Sequence, residues 1–370
     1  MIRFGTAVAL WDPDGRVDGQ AEQTGTDAVM NVSNCLKEIA RADAARDLTE
    51  RDAHDLFAAM LDGGVPDLEL GACLTALRMK SASAVELLGF YRAASERTYA
   101  LRVPPTGLRP LVFGSYGGAH REPNLLPLLV LLLQRIGIPV LLHGTLEGAG
   151  RVASVYILRE LGVLPSGSLA QAQKAIDEDL LAFVPTAVLC PGLANLLALR
   201  SRLGIRNPAH SLVDLLDPFE GNGLRVIGAG DAACLGKIEA FLAATGFDAL
   251  LLRSTEGEAF ANPRQRPRIL FYRHGGPLAL FGEEMAPARG LPGGPASIEA
   301  AATAAWIRQA LAGEVPVPHP LVNQLACCLF ASGYTDDMNQ AKAIAAVEAG
   351  CLVPAGRGRG AEGNLPRAAG

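Results

Sequence analysis

The sequence predicts an α/β domain preceded by an all-helical lobe, and three observations carry that reading. The stretch from Arg109 to Thr145, RPLVFGSYGGAHREPNLLPLLVLLLQRIGIPVLLHGT, reads as strand, glycine loop, helix and strand. Parallel strands need a crossover of about that length. The same grammar returns at Leu224–Ile227, Ala232–Ala244 and Ala249–Leu252. Ahead of Pro104-Pro105, by contrast, the apolar residues fall at helical spacing.

Taken in order, residues 1–30 hold Gly, Asp, Gln and Thr with little periodicity and read as an irregular lead. Residues 31–103 read as the helical lobe. Val32, Leu36 and Ile39 open it, and Thr49 with Asp52 three residues on is close to a capping box for the next helix. That helix presents Leu56, Phe57, Met60 and Leu61, and Gly63-Gly64 ends it. A third helix follows Pro66 with Leu70, Cys73, Leu74 and Leu77 inward, and Ser81 opens a fourth. Residues 104–353 read as the α/β domain. Helices are expected over Val152–Leu161, Leu169–Ile176 and Gly192–Leu203, with a strand at Leu180–Val184 stopped by Pro185. Ile269–Tyr272 and Leu278–Phe281 read as a closing antiparallel pair, and Ile298–Leu311, Leu321–Ser332 and Asn339–Ala349 as terminal helices. Residues 354–370, GRGRGAEGNLPRAAG at their core, read as a flexible low-complexity tail.

Composition bounds the function. With 49% hydrophobic against 19% charged residues, the 370-residue chain suits globular domains with a sizeable core. A net charge of -5 argues against a globally basic nucleic-acid binder and leaves a local basic stripe open. Seven cysteines without any CxxC pair suit neither a zinc knuckle nor a disulfide framework, so reduced thiols are expected. Leu125–Leu133 is strongly apolar, but Pro127, Gln134 and Arg135 keep it short of the ~20 residues of a membrane span. The N-terminus shows no secretory pattern, and a cytoplasmic protein without membrane association is the expectation.

Chemistry concentrates at strand ends. Gly114-Ser115-Tyr116-Gly117-Gly118 follows a strand and precedes a helix, where small residues let backbone N–H groups approach a phosphate. A tight turn needing glycine for backbone reasons is the alternative. His143 at the second strand end is either a satisfied core histidine or a site-facing group. Arg200 and Arg206 are either surface ion-pair partners or cleft residues. Glu256 and Glu258 would hold Mg²⁺, or Glu256 would pair with Arg253. Arg264-Gln265-Arg266-Pro267-Arg268, continued by Arg273 and His274, is the densest positive run. It would follow a phosphate backbone without reading sequence, or stand as a solvated loop. Gly228-Ala229-Gly230-Asp231 lacks the third glycine of a dinucleotide fingerprint, since Ala233 stands there. Cys190 reads as a structural thiol.

Three places together resemble the anthranilate phosphoribosyltransferase family, glycosyl transferase family 3. They are Ala45–Ala93, the run Gly114–Gly118 with Asn124-Leu125-Leu126-Pro127 and His143-Gly144-Thr145, and Leu199-Arg200-Ser201-Arg202-Leu203-Gly204-Ile205-Arg206. The resemblance implies that family's architecture, shared with pyrimidine nucleoside phosphorylases, and a homodimer built through the helical lobe. It implies a diphosphate loop at Gly114, Ser115, Gly117, Gly118, Asn124, His143 and Gly144, Arg200 on the acceptor side, and Glu256 and Glu258 toward magnesium. The departures share a direction. Ala119-His120 stand for the loop aspartate, Leu126-Pro127 for a Ser-Thr pair, Leu142 for a lysine, Cys190 for a histidine and Asp214 for a proline. This pattern resembles the YbiB branch of the family, in which the transferase site is eroded. That implies a homodimer binding DNA or RNA through phosphates, with Arg264, Arg266, Arg268 and Arg273 as candidates. The alternative is an active glycosyl or phosphoribosyl transferase using phosphoribosyl diphosphate and Mg²⁺ with an altered acceptor.

Overall fold

A computed structural model describes residues 32–41, 45–148, 150–284 and 294–350 of the chain. The lead expected over 1–30 and the tail expected over 354–370 lie outside the described residues.

Four helices come first: α1 (Val32–Ile39), α2 (Glu50–Leu61), α3 (Asp67–Lys80) and α4 (Ala84–Ser95). Thr49 caps α2 by accepting the Asp52 N–H at 3.1 Å. Ser83, not Ser81, caps α4, in a full capping box with Glu86. The Glu86 carboxylate is buried and also takes the Leu48 N–H at 2.9 Å and the Lys80 ammonium at 2.6 Å, so one charge ties three segments together. α2 and α4 touch closely because Gly89 has no side chain; a Cβ there would stand 2.4 Å from the Glu50 carbonyl. Phe57 and Phe90 fill the gap that remains, their ring centres 5.0 Å apart.

The rest is α/β. In chain order it runs β1 (Leu111–Ser115), α5 (Leu126–Ile136), β2 (Val140–Gly144), α6 (Ser154–Glu160), α7 (Leu169–Glu178) and β3 (Leu181–Pro185). Short helices follow: α8 (Thr186–Leu189), α9 (Pro191–Ala198), α10 (Arg200–Leu203) and α11 (Ala209–Leu212), with a 3-10 turn at Val213–Leu215. Then come β4 (Leu224–Ala229), α12 (Ala232–Thr245), β5 (Ala249–Arg253), β6 (Ile269–Arg273), β7 (Gly276–Phe281), α13 (Ala300–Leu311), α14 (His319–Ala331) and α15 (Met338–Glu348). The single helix expected over Gly192–Leu203 is two, broken at Leu199.

The seven strands order as β3-β2-β1-β4-β5-β6-β7. The first five are parallel and the last two antiparallel, the closing pair expected from the sequence. β1, β2 and β3 are buried at every position, as strands covered on both faces must be. α5 lies under the sheet against α13 and α14, and seven of its residues are buried. Each buried leucine there contributes about 1.5–3 kcal/mol. Gly137 ends α5 at φ 96°, a left-handed cap that frees the chain to enter β2.

The helical lobe is joined to the sheet by polar and apolar contacts. Arg225 on β4 is buried, donates to Leu215 O at 2.7 Å and Tyr91 Oη at 3.0 Å, and lies 4.7 Å from the Phe247 ring centre. Gly192 lets α9 rest on the Leu61 carbonyl. No helix among the described residues is long and apolar enough to cross a membrane.

Candidate functional site

β1 and β4 are neighbours, yet the chain leaves them in opposite directions, toward β2 and β3 on one side and β5 on the other. A crevice opens at the carboxyl ends of parallel strands at such a switch point. The glycine loop after β1 sits there, as the sequence implied. Facing it is the turn Ser254–Glu258 that follows β5. The two approach so closely that a Cβ on Gly117 would meet the Glu256 carbonyl oxygen at 2.6 Å.

What fills the glycine loop is the chain's own carboxylate. Glu258 is buried, and its Oε1 accepts the N–H groups of Gly117 at 2.8 Å and Gly118 at 2.7 Å. Its Oε2 accepts the hydroxyls of Ser115 at 2.7 Å and Ser154 at 3.1 Å. Asn124 donates to Ser154 Oγ at 2.9 Å and accepts the Leu126 N–H, so it fixes the donor rather than touching the carboxylate. Gly118 needs its missing side chain twice: φ is +69°, and a Cβ would meet Arg151 at 3.0 Å. Glu256 fills the next stretch, accepting the N–H groups of His120 at 2.6 Å, Arg121 at 2.9 Å and Glu122 at 3.3 Å.

The electrostatics of the two differ. Burial pushes the Glu258 carboxyl up, against the pull of its four donors. Burial also acts on Glu256, but there the three N–H donors and the Arg151 charge win, and its carboxyl stands below the ordinary value. Asp214 is pushed up to about 7 by burial, with the Arg206 charge opposing and the Glu258 charge adding.

Glu256 and Glu258, the residues expected toward magnesium, do not stand as a free carboxylate pair here. Each oxygen of both side chains faces N–H or O–H donors, and among the described residues no cluster of three His, Cys, Asp or Glu could hold a metal ion. A cation would have to displace those donors, which are arranged for an anion. Nor does Glu256 pair with Arg253; its partners are backbone N–H groups.

His143 is fully buried, but its Nε2 has no hydrogen-bond partner among the described residues, so it is not the fully satisfied core histidine of the first alternative. Its Nδ1 lies 2.8 Å from Tyr116 Oη, and burial pulls the ring down to about 4, so it stays neutral. Tyr116 Oη in turn lies 2.8 Å from Thr186 Oγ1. Gly144 admits the Ser115 carbonyl, which a Cβ would meet at 2.3 Å. Cys190 is buried and its thiol is pushed up by burial, in keeping with a structural role.

The arginine run separates. Arg264 pairs with Glu122 at 3.5 Å, and Arg266 pairs with Glu284 at 3.2 Å while lying over Phe281. Arg268 and Arg273 are exposed; Arg268 precedes β6 and Arg273 ends it, about 17 Å further along the strand. The two thus stand apart along β6. A different basic group does assemble. Arg206 is held below its ordinary value by burial first, against the pull of Asp214, with the charges of Arg200 and Arg78 adding. His210 is pulled down to about 4 by burial and by Arg206, Arg200 and Arg78. These three arginines come from α3, α10 and the loop after α10, and none has a carboxylate within ion-pair distance among the described residues. Lys237 on α12 and Arg78 line one cleft, where Lys237 donates to Ala82 O at 3.1 Å. The sequence offered Arg200 and Arg206 as alternatives; Arg78 and Lys237 were missed, because their meeting depends on how the lobe docks. A cavity of about 510 Å³ lies elsewhere, against Leu101, Arg102, Gln173 and Phe219.

Comparison with known proteins agrees with this architecture. Residues 34–98 match the helical bundle domain of the glycosyl transferase family. The chain is 40% identical over 306 residues to the uncharacterized protein YbiB of Escherichia coli (strain K12), spanning 82% of this chain and 95% of that one. It is 27% identical over 286 residues to the anthranilate phosphoribosyltransferase of Methanopyrus kandleri, spanning 76% and 84%. The anthranilate phosphoribosyltransferase structure from Thermus thermophilus superposes with a TM-score of 0.68 at 24% identity, over 86% of this chain and 94% of that one. The yeast enzyme, Saccharomyces cerevisiae, in complex with PRPP and Mg, does so at 0.67 and 14%, over 86% and 93%. The fold is thus that of the anthranilate phosphoribosyltransferases. The chain belongs to that glycosyl transferase family, in its YbiB branch.

Proposed function

We propose that this protein is a homodimer that binds DNA or RNA through the phosphate backbone, without marked sequence preference, and does not run phosphoribosyl transfer. The observation that carries the reading is the group Arg78, Arg200 and Arg206. The charges of Arg200 and Arg78 act against that of Arg206, with Asp214 opposing them, and none of the three arginines has a carboxylate within ion-pair distance among the described residues. A phosphate held beside these groups would relieve that repulsion. The filled glycine loop supports the second half. A diphosphate entering beside Glu258 would meet a like charge, worth about 4 kcal/mol of repulsion at 4 Å near a protein surface.

The dimer reading rests on α3, where Leu68 is 82% and Met79 80% exposed. With Ala72 and Thr75 between them, these residues share one helix face, which a second copy would cover.

Fluorescence anisotropy with labelled single- and double-stranded oligonucleotides tests the reading. Binding should weaken with salt by a log–log slope of about 0.7–0.9 per phosphate contacted. The triple change Arg78→Glu, Arg200→Glu, Arg206→Glu should abolish it, whereas Arg273→Glu alone should leave it near wild type. Equal loss in both variants, or no binding at low salt, refutes the assignment.

A further inference from the structure

We propose that His54 is a pH-sensitive tie: as an imidazolium it bridges Asp55 and Glu96 and fastens the carboxyl end of α4 to α2, and as a neutral ring it lets Glu96 go. The geometry fixes the charge. Nδ1 lies 2.8 Å from Asp55 Oδ1, and Nε2 lies 3.0 Å from Glu96 Oε2. A neutral imidazole carries a single N–H, so it can donate to one of these carboxylates and must turn a lone pair on the other. Only the doubly protonated ring satisfies both. Asp55 is its neighbour on α2, whereas Glu96 is 42 positions on and caps α4. The contact that joins two elements is therefore the one at Nε2.

The charges around this ring come from few elements. On α2, Arg51 lies 3.8 Å from Asp55, and Glu50 pairs with Arg92 of α4. At the end of α4, Arg97 donates to Glu96 at 3.5 Å and to both Asp62 oxygens at 2.7 Å. α9, packed on α2, carries no ionisable residue. α1 brings Cys35, on which the Asp55 charge acts and whose thiol burial pushes up, so it stays neutral. The Arg97–Asp62 pair holds throughout the neutral range, which leaves the Glu96 bond as the part that acid makes and base breaks. Hydrogen bonding to Asp55 holds the imidazole above its ordinary value of about 6.5, with burial opposing and Glu96 adding. Stability from the tie is thus complete below about 6.5 and fades as pH rises through the higher folded-state midpoint. Beyond Glu96 the chain reaches Tyr99, whose N–H donates to Leu189 O on α8 at 2.8 Å. The tie acts where the lobe hands over to the sheet.

The inference does not depend on nucleic-acid binding. Long-range 1H–15N spectra of the full-length protein between roughly pH 5 and 9 read the ring directly, and His54→Gln identifies its signals. Wild type should show both His54 nitrogens protonated in acid and a midpoint above about 6.5. Glu96→Gln and Asp55→Asn should each lower that midpoint by about 0.2–0.7 pH unit, the range of partly exposed ion pairs. Added salt near 1 M should lower it in wild type as well. Melting temperature is the second readout. Wild type should exceed His54→Gln most below about pH 6.5, and the gap should close towards pH 9. If His54→Gln does not fold, Glu96→Gln, whose side chain is 57% exposed, takes its place and should show the same closing gap. A His54 midpoint at or below about 6.5, or a melting gap that stays constant across this range, overturns the proposal.

Discussion

Asp214 lies directly on Gly114: a Cβ built on the glycine would stand 2.0 Å from Asp214 Oδ1, 3.1 Å from its Cγ and 3.3 Å from its Cα. The glycine at the end of β1 is therefore required by a neighbour in space as well as by any ligand. Gly114→Ala should lose about 1–3 kcal/mol through overpacking. Asp214→Ala removes the two nearest atoms, so the double variant should recover most of that loss. Urea denaturation of the four proteins of the cycle measures the coupling. Additive losses would show that Gly114 is needed for its backbone and not for this contact.

Asp214 also gives folding a pH dependence. Its folded-state carboxyl stands at about 7, above the value near 3.9 of a free aspartate. Between those values the folded chain holds a proton that the unfolded chain has released. The contribution to stability is thus full at low pH and fades as pH rises through about 7. Asp214→Asn should remove that slope, so its Tm relative to wild type rises from pH 5 to pH 8. Glu256 works the other way: its lowered carboxyl stabilises above the unfolded value and is lost on acidification. Parallel melting profiles for wild type and Asp214→Asn would refute the assignment to Asp214.

Much of this fold is legible in the chain because its elements repeat an apolar period. Leu111–Ser115 and Val140–Gly144 are short buried runs bounded by glycines, and α5 between them is long enough to announce itself. The helices α8, α10 and α11 have four residues each, too few for any period to appear. The site was legible only in part. Glycines at 114, 117 and 118 mark a place where N–H donors converge, yet the carboxylate that takes them lies about 140 positions on. Spacing cannot tell a glutamate that faces donors from one that faces a metal. The same holds for charge runs. Arg264 and Arg266 are near Arg268 in sequence but are paired with carboxylates, while the charges of Arg78 and Arg200 act on Arg206 from elements far apart in the chain.

That docking has a polar centre at Arg225. The buried guanidinium joins Leu215 O, Tyr91 Oη on α4 and the Phe247 ring, with Asp217 at 3.7 Å. Arg225→Ala leaves Asp217 and the Leu215 carbonyl without this partner and should cost about 3–5 kcal/mol. Tyr91→Phe removes one hydrogen bond and should cost about 0.5–1.5 kcal/mol. Guanidinium denaturation gives both values, and a small loss in Arg225→Ala would mean that apolar packing alone holds the lobe.

The exposed face of α3 makes the last test direct. Leu68 and Met79 make few contacts within the chain, being 82% and 80% exposed, so changing them should leave the fold intact. Ala72 and Thr75 between them are small enough to let a partner helix approach closely. The pair of changes Leu68→Glu and Met79→Glu places two charges on the face that a second copy would bury, and an unpaired charge there is strongly unfavourable. Sedimentation equilibrium should find the wild type as a dimer and the double variant as a monomer, with unchanged far-ultraviolet circular dichroism. Oligonucleotide affinity should fall in the same variant, because two weak basic clefts held in one dimer bind a single strand with an avidity that one cleft lacks. A double variant that stays dimeric would exclude this face as the interface, and a monomer with full affinity would place nucleic-acid binding within a single chain.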